Sequence, residues 1–383
     1  MAAKTLRGLE EILAEELKDL GAGNIRLLNR AVGFSGNKEM MYKANYFSRF
    51  ALKILKPICT SKVKNDVQLY NVIRSLNWND YLDTRGSFAV ESIIASSYFS
   101  HSQYVTHRVK DAIVDQFKDK YGKRPSVDTD EPDLKINIHI ADNDLTVSLD
   151  SSGESLHKRG YRREQGPAPL NEVLAAGLIR LTGWKCDKNF IDPMCGSGTL
   201  PIEAALMAYN IPPGAYRKSF AFENWPDFEY PLFENITGSY NEKKHIDFTI
   251  AGSDISENAI RITKHNIKNA FLDNKVIIKT GSIELIDPPE DGGIAVINPP
   301  YGERLKPFQI EAFYTRIGDA LKKKYAGYEV WLFTSNKEAL KHIGLRTSKR
   351  LTLYNGPLEC KYHKFDIFKG AAGLKKSEIQ NSL

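Results

Sequence analysis

The sequence predicts an α/β protein, with a doubly wound sheet over its C-terminal half and smaller α+β layers before it. Three observations carry that reading. From Asn189 onward, short apolar strands alternate with helical patterns. The first of these strands runs into a glycine turn, Asp192-Pro-Met-Cys-Gly-Ser-Gly-Thr199. A later one, Ile294-Ala-Val-Ile-Asn298, stops at Pro299-Pro300.

At 383 residues and 42% hydrophobic content the chain is long enough for two or three domains with cores of their own. A formal charge of +6 tilts it mildly toward a polyanionic partner. No apolar run is long enough to span a bilayer, and Met1-Ala-Ala-Lys does not open a secretory signal, so no membrane partner is expected. Cys59, Cys186, Cys195 and Cys360 lack CxxC or Cys/His spacing. They predict a reducing, cytoplasmic setting, with neither a metal site nor a disulfide framework.

Leu9, Ile12, Leu13, Leu17 and Leu20 share one helical face, and Gly21 follows as a natural stop. Strands are expected at Asn24–Asn29 and Val32–Ser35, then a helix from Lys38 to about Leu55. A third helix, ending at Tyr121, spaces Val105, Val109, Ile113 and Phe117 for burial. Strands Leu134–Ile140 and Leu145–Asp150 flank a polar hairpin tip. The following stretch gathers His157, Lys158, Arg159, Arg162 and Arg163 around Tyr161, before the extended Gln165-Gly-Pro-Ala-Pro169. Cations interleaved with an aromatic suit phosphate contact and base stacking, and they equally suit a solvated linker.

In the C-terminal region, strands are expected at Asn189–Asp192, Thr249–Asp254, Val276–Lys279, Ile294–Asn298, Glu329–Thr334, Ser348–Leu353 and Lys361–Phe368. Ligands of such sheets bind beyond the carboxyl ends of the strands. Gly196 and Gly198 allow close backbone approach, yet the turn has neither a P-loop lysine nor a complete GxGxxG. Asp192 would repel a pyrophosphate and attract an amine, and Asp254 is placed to accept from ribose hydroxyls. A cationic, unphosphorylated nucleoside, S-adenosyl-L-methionine, fits those features. Asp254 lies well past the roughly 20-residue offset of dinucleotide folds, and the Pro- and aromatic-rich insertion Asn210–His245 accounts for the gap. Around Asn298, two prolines offer carbonyls without N–H groups, and Tyr301 offers a ring face. An acceptor-only cup beside a stacking surface suits an amino group on a planar, conjugated ring; a plain Asn-Pro turn is the alternative.

Asp192-Pro-Met-Cys-Gly-Ser-Gly-Thr199 resembles the cofactor motif of amino-methylating Rossmann-like class I methyltransferases, and Asn298-Pro-Pro-Tyr301 their catalytic motif. The longer Asn298-Pro-Pro-Tyr-Gly-Glu-Arg-Leu305 and Leu156-His-Lys-Arg-Gly-Tyr-Arg162 resemble the THUMP-domain guanine-N2 methyltransferases of bacterial 23S ribosomal RNA. The resemblance covers nearly the whole chain. It implies a ferredoxin-like domain (1–60), a THUMP RNA-binding domain (61–155), a basic linker (156–170) and a methyltransferase domain (171–383). It also implies a stand-alone form, without the second methyltransferase fused to some relatives.

By the same resemblance, Asn298, Pro299, Pro300 and Tyr301 are catalytic. Asp192, Pro193, Met194, Gly196, Gly198, Thr199, Asp254, Ile255, Ser282 and Asn298 hold the cofactor. His157, Lys158, Arg159, Tyr161, Arg162 and Arg163 face RNA. Ser282 stands where many relatives carry an acidic residue. The implied partner is 23S ribosomal RNA or a large-subunit assembly intermediate. Transfer RNA, DNA adenine and protein glutamine remain rival substrates. An inactive RNA-binding assembly factor remains a rival of another class, and the missing GxGxxG argues against a dinucleotide oxidoreductase.

Overall fold

The structure, a computed structural model, describes residues 1–164, 169–300 and 307–368. The chain forms two compact units, Met1–Gly160 with Pro212–Asn241, and Tyr161–Ile211 with Glu242–Leu383.

The first unit contains β1 (Ala2–Lys4), α1 (Glu10–Asp19), β2 (Gly23–Leu28), β3 (Ala31–Ser35), α2 (Lys38–Phe47), β4 (Lys53–Lys62), α3 (Asp66–Ser75), β5 (Ser87–Ala95), α4 (Ser102–Tyr121), β6 (Ser126–Val127), β7 (Leu134–Ala141) and β8 (Asp144–Asp150). One sheet holds all eight strands, in the order β2-β3-β1-β4-β8-β7-β5-β6. β4 is its hinge strand: Lys53–Leu55 pair with β1, and Leu55–Lys62 pair with β8. The sheet therefore runs on through residue 60.

The helix expected to reach Leu55 ends at Phe47. Ser48 turns extended (ψ 124°), and the Glu16 carboxylate accepts its hydroxyl at 2.6 Å and the Arg49 N–H at 2.8 Å. Those bonds, from a helix 32 residues away, stop α2 and release the chain into β4. Pro57 fits a strand because the register slips between Pro57 and Cys59, a bulge where a missing N–H costs no ladder bond. α3 and β5 have no counterpart in the expectations above. The helix α4 has the expected span and buries Val105, Val109, Ile113 and Phe117.

The second unit opens with α5 (Glu172–Leu181), capped by Asn171, whose side chain accepts the Val173 and Leu174 N–H groups. β9 (Asn189–Asp192) and α6 (Thr199–Ala208) follow. The chain then contributes Pro212–Asn241, including α7 (Tyr230–Gly238), to the first unit. There Phe222 stacks on Tyr42 with ring centroids 4.3 Å apart, and Phe233 packs edge-on against both. The aromatic content of the insertion is thus a docking face for α2. The second unit resumes with β10 (Ile250–Asp254), α8 (Glu257–Asn269), β11 (Ile277–Thr280), β12 (Gly293–Ile297), α9 (Pro307–Lys324), β13 (Tyr328–Thr334), β14 (Lys349–Asn355) and β15 (Leu358–Asp366).

Its seven strands run β11-β10-β9-β12-β13-β15-β14, with β15 antiparallel to both neighbours. β12 is buried along its whole length, and Ile297, Tyr314, Ile317, Leu321, Val330 and Leu332 form one core cluster. Each such aliphatic side chain is worth about 1.5–3 kcal/mol of burial. The strand order reverses between β9 and β12. In such sheets ligands bind at that switch point, beyond the carboxyl ends of the parallel strands.

Candidate functional site

β9 and β12 are parallel neighbours, with Ile191 opposite Ala295. The segments that follow them, the glycine turn and Asn298-Pro299-Pro300, therefore emerge at the same end of the sheet. Ile255 and Gly281-Ser282 emerge there too, because Asp254 pairs with Thr280 across β10 and β11.

The turn is built from its own backbone. Asp192 accepts the Met194 N–H at 3.1 Å, the Cys195 N–H donates to the Ser253 carbonyl at 2.9 Å, and the Gly198 N–H donates to the Cys195 carbonyl at 2.8 Å. Asp254 Oδ2 accepts the Gly196 N–H at 2.9 Å, and its Oδ1 accepts the Ser256 N–H at 2.9 Å. Gly196 (φ +54°) and Gly198 (φ +83°) are left-handed. A Cβ on Gly198 would lie 2.6 Å from Thr263 Cγ2, whereas one on Gly196 would meet nothing within 4 Å. The open side of the turn is thus at Gly196. Pro193 is buried, with its carbonyl 3.4 Å from Ser253 Oγ, and Met194 packs on the core cluster. Thr199 starts α6. Ile255 is 75% exposed, an uncovered aliphatic face beside Asp254. The Ser282 hydroxyl is engaged by Glu284.

Asp192 is 2% exposed, and burial, reinforced by the negative charge of Asp254, pushes its carboxyl up to about 8. Burial also raises the Cys195 thiol far above its usual range, which removes it as a nucleophile. Asp254, joined by Asp192 once it ionises, would hold a cationic ligand and repel a phosphate.

Asn298 supplies a different group. Its Oδ1 is buried and has no hydrogen-bond partner among the described residues. An acceptor in that state costs free energy until a donor arrives. Pro299 beside it is buried and Pro300 exposed. Tyr301 and the rest of the longer motif, Gly302 to Leu305, lie outside the described residues, as do Gln165 to Ala168.

The cationic junction departs from expectation. Arg159 is 1% exposed, and its guanidinium donates to the Leu156 and Arg49 carbonyls at 2.9 and 2.6 Å. Tyr161 is equally buried and donates to Glu203 at 3.0 Å. Arg162 pairs with Glu172 at 3.2 Å and donates to Thr199 Oγ1 at 2.7 Å and the Leu170 carbonyl at 2.8 Å. These three side chains hold the fold and do not face a polyanion. His157 is half-buried beside Ser155 Oγ, while Lys158 and Arg163 are exposed.

Three residues had gone unnoticed in the sequence. Thr263 donates to the Gly196 carbonyl at 2.7 Å, and Asn266 Nδ2 donates to the Ser197 and Glu164 carbonyls at 3.1 Å each. In the first unit, Arg217 gathers the carbonyls of Ser152, Glu154, Ser155 and Lys158 at 2.8–3.2 Å. Local sequence hides all three, because each acts on a backbone far away in the chain. Among the described residues no cluster of three or more His, Cys, Asp or Glu could hold a metal, and no helix is long and apolar enough to cross a membrane.

Comparison with known proteins agrees with this geometry. Residues 159–364 match the family profile described as RMKL-like, methyltransferase domain; residues 63–150 match the THUMP domain and residues 1–55 the RlmL ferredoxin-like domain. A Synechocystis sp. protein, provisionally named an RNA methyltransferase, is 38% identical over 96% of both chains. The ribosomal RNA large subunit methyltransferase K/L of Syntrophotalea carbinolica is 36% identical over 94% of this chain, which spans 52% of that protein. A solved structure of SMU.472, a provisionally assigned methyltransferase in complex with S-adenosylhomocysteine (SAH), superposes with a TM-score of 0.86 at 28% identity, covering 96% of this chain and 98% of that one. The chain belongs to the RMKL-like methyltransferase family with THUMP and ferredoxin-like domains, and its cofactor is S-adenosylmethionine.

Proposed function

We propose that the chain transfers a methyl group from S-adenosylmethionine to the exocyclic N2 of a guanine in large-subunit (23S) ribosomal RNA. The observation that carries this is the buried Asn298 Oδ1 at the switch point, without a hydrogen-bond partner among the described residues and bordered by prolines that accept and never donate. Such a site selects an amino group, the one kind of planar-ring substituent that brings two N–H donors.

The cofactor, when bound, supplies an electrophilic methyl group on a sulfonium. Asp192 would face its cationic end, Asp254 would accept from its ribose hydroxyls, and the exposed Ile255 would offer an apolar contact for its base. Asn298 Oδ1 and the Pro299 carbonyl accept the two N–H bonds of guanine N2, which favours a pyramidal nitrogen whose lone pair leaves the ring system. Orientation of that kind can lower a barrier by roughly 7–11 kcal/mol at best. The bound cofactor would supply the methyl carbon to that nitrogen, with its sulfur leaving as a neutral thioether. The surplus proton then leaves to solvent, so no strong general base is needed. A base within a helix must first swing out, and Tyr301 in the motif would stack on it. Lys158, Arg163 and the THUMP domain supply phosphate contacts, which makes RNA affinity fall steeply with salt. The parts divide as 1–60, 61–155, 156–170 and 171–383, working in the cytoplasm.

Methyl-labelled cofactor offered with unmodified ribosomal RNA, transfer RNA and DNA, each then digested to nucleosides, tests the reading. Label in N2-methylguanosine from ribosomal RNA alone is expected. Label in transfer RNA or in adenine would overturn the substrate, and no label together with no cofactor binding would favour an inactive assembly factor.

A further inference from the structure

Two carbonyls of the cofactor turn face helix α8, and two side chains one helical turn apart on α8 hold them. Thr263 Oγ1 donates to the Gly196 carbonyl at 2.7 Å and Asn266 Nδ2 to the Ser197 carbonyl at 3.1 Å. We infer that Thr263 and Asn266 are positioning residues that set the orientation of this turn toward the amino-acid end of the cofactor, an inference that rests on the cofactor assignment above.

Both side chains are fully buried. Neither type favours a helix interior, and each brings a polar group that must be desolvated. Packing alone would be served better by valine and leucine. Asn266 Oδ1 is buried and has no partner among the described residues, so the amide is retained with one end uncompensated. Its value lies in Nδ2, which also reaches the Glu164 carbonyl at 3.1 Å and ties the residue after Arg163 to the same turn.

The geometric consequence follows from peptide planarity. With the Gly196 carbonyl pulled toward α8, the trans peptide turns the Ser197 N–H to the opposite side. The neighbouring N–H groups are already engaged inside the protein, that of Gly196 by Asp254 and that of Gly198 by the Cys195 carbonyl. The Ser197 N–H is thereby presented as a donor on the side away from α8, suited to a carboxylate. Thr263 also sets the limit on Gly198, since its Cγ2 fills the space a Cβ would need.

The test compares two ligands by calorimetry on the full chain. One is SAH, and the other is 5′-methylthioadenosine, which keeps the nucleoside and lacks the amino-acid end. Thr263→Val keeps the methyl and removes the hydroxyl. It is expected to raise the Kd for SAH about 10-fold, the loss of one well-made hydrogen bond, and to leave the Kd for 5′-methylthioadenosine within about 2-fold. Thr263→Ser, which keeps the hydroxyl, should bind both within about 2-fold of wild type. Asn266→Asp turns a carboxylate on two carbonyls and should weaken SAH more than Thr263→Val does. Equal weakening of both ligands by Thr263→Val would reduce Thr263 to a structural role and overturn the inference, as would no weakening of either. A wild-type chain that binds no SAH would overturn the cofactor assignment and this inference together.

Discussion

Asp254 Oδ2 accepts the Gly196 N–H at 2.9 Å, so one carboxylate at the end of β10 holds a turn 58 residues before it in sequence. Its second oxygen accepts the Ser256 N–H, and both oxygens must therefore be acceptors. Asp254→Asn would set an NH2 group against one of these N–H donors. Hydrogen bonds to a charged group are worth about 1.5–3 kcal/mol, which predicts a 10- to 100-fold rise in the Kd for SAH, read by calorimetry.

Asp192 makes cofactor binding depend on pH. Burial raises its folded-state pKa to about 8, above the ordinary value of 3.8. The folded, ligand-free chain keeps a proton in that window which the unfolded chain loses. Its contribution to stability is therefore present below about pH 4 and declines as pH rises toward 8, by at most about 1.4 kcal/mol per unit. A cationic ligand favours the ionised carboxylate, so binding should release a proton. S-adenosylmethionine affinity should rise from pH 6 to 8, with proton release seen by calorimetry in buffers of different ionisation enthalpy. Asp192→Asn should flatten both trends.

The two glycines of the turn should respond differently to alanine. Gly196→Ala meets open space and bears only the left-handed backbone cost, about 1 kcal/mol. Gly198→Ala also drives a Cβ to 2.6 Å from Thr263, an overpacking worth a further 1–3 kcal/mol, by about the range seen in other cores. Chemical denaturation should rank the two in that order.

The junction cations should separate into two groups. Arg159→Ala strands two carbonyls that its buried guanidinium serves and is expected to cost about 2–4 kcal/mol of stability in urea unfolding. Lys158→Ala and Arg163→Ala should leave the urea midpoint unchanged, weaken RNA binding, and each lower the salt slope of log K by about 1.

Much of the second unit was legible in the sequence because buried parallel strands are short β-branched runs bounded by glycine, proline or asparagine, as in Ile294–Ile297 before Asn298-Pro299. The first unit was less so. Lys53–Lys62 carries a proline and pairs on both sides with strands from elsewhere in the chain, and the Glu16 bonds that end α2 leave no local trace. In the candidate site, Asp192 and Asp254 end β9 and β10 and Asn298 follows β12, positions that the strand patterns alone predict. Within the run from His157 to Arg163, the directions of Arg159, Arg162 and Tyr161 are set by acceptors at Arg49, Glu172 and Glu203, and only the fold brings those near.

The acceptor site at Asn298 is the centre of the account, and single-turnover methyl transfer to ribosomal RNA by Asn298→Ala tests it most directly. The predicted result is a fall of at least about 100-fold in the rate of N2-methylguanosine formation, the scale of losing precise orientation, with the Kd for SAH changed less than tenfold. A variant that forms N2-methylguanosine at the wild-type rate would contradict it.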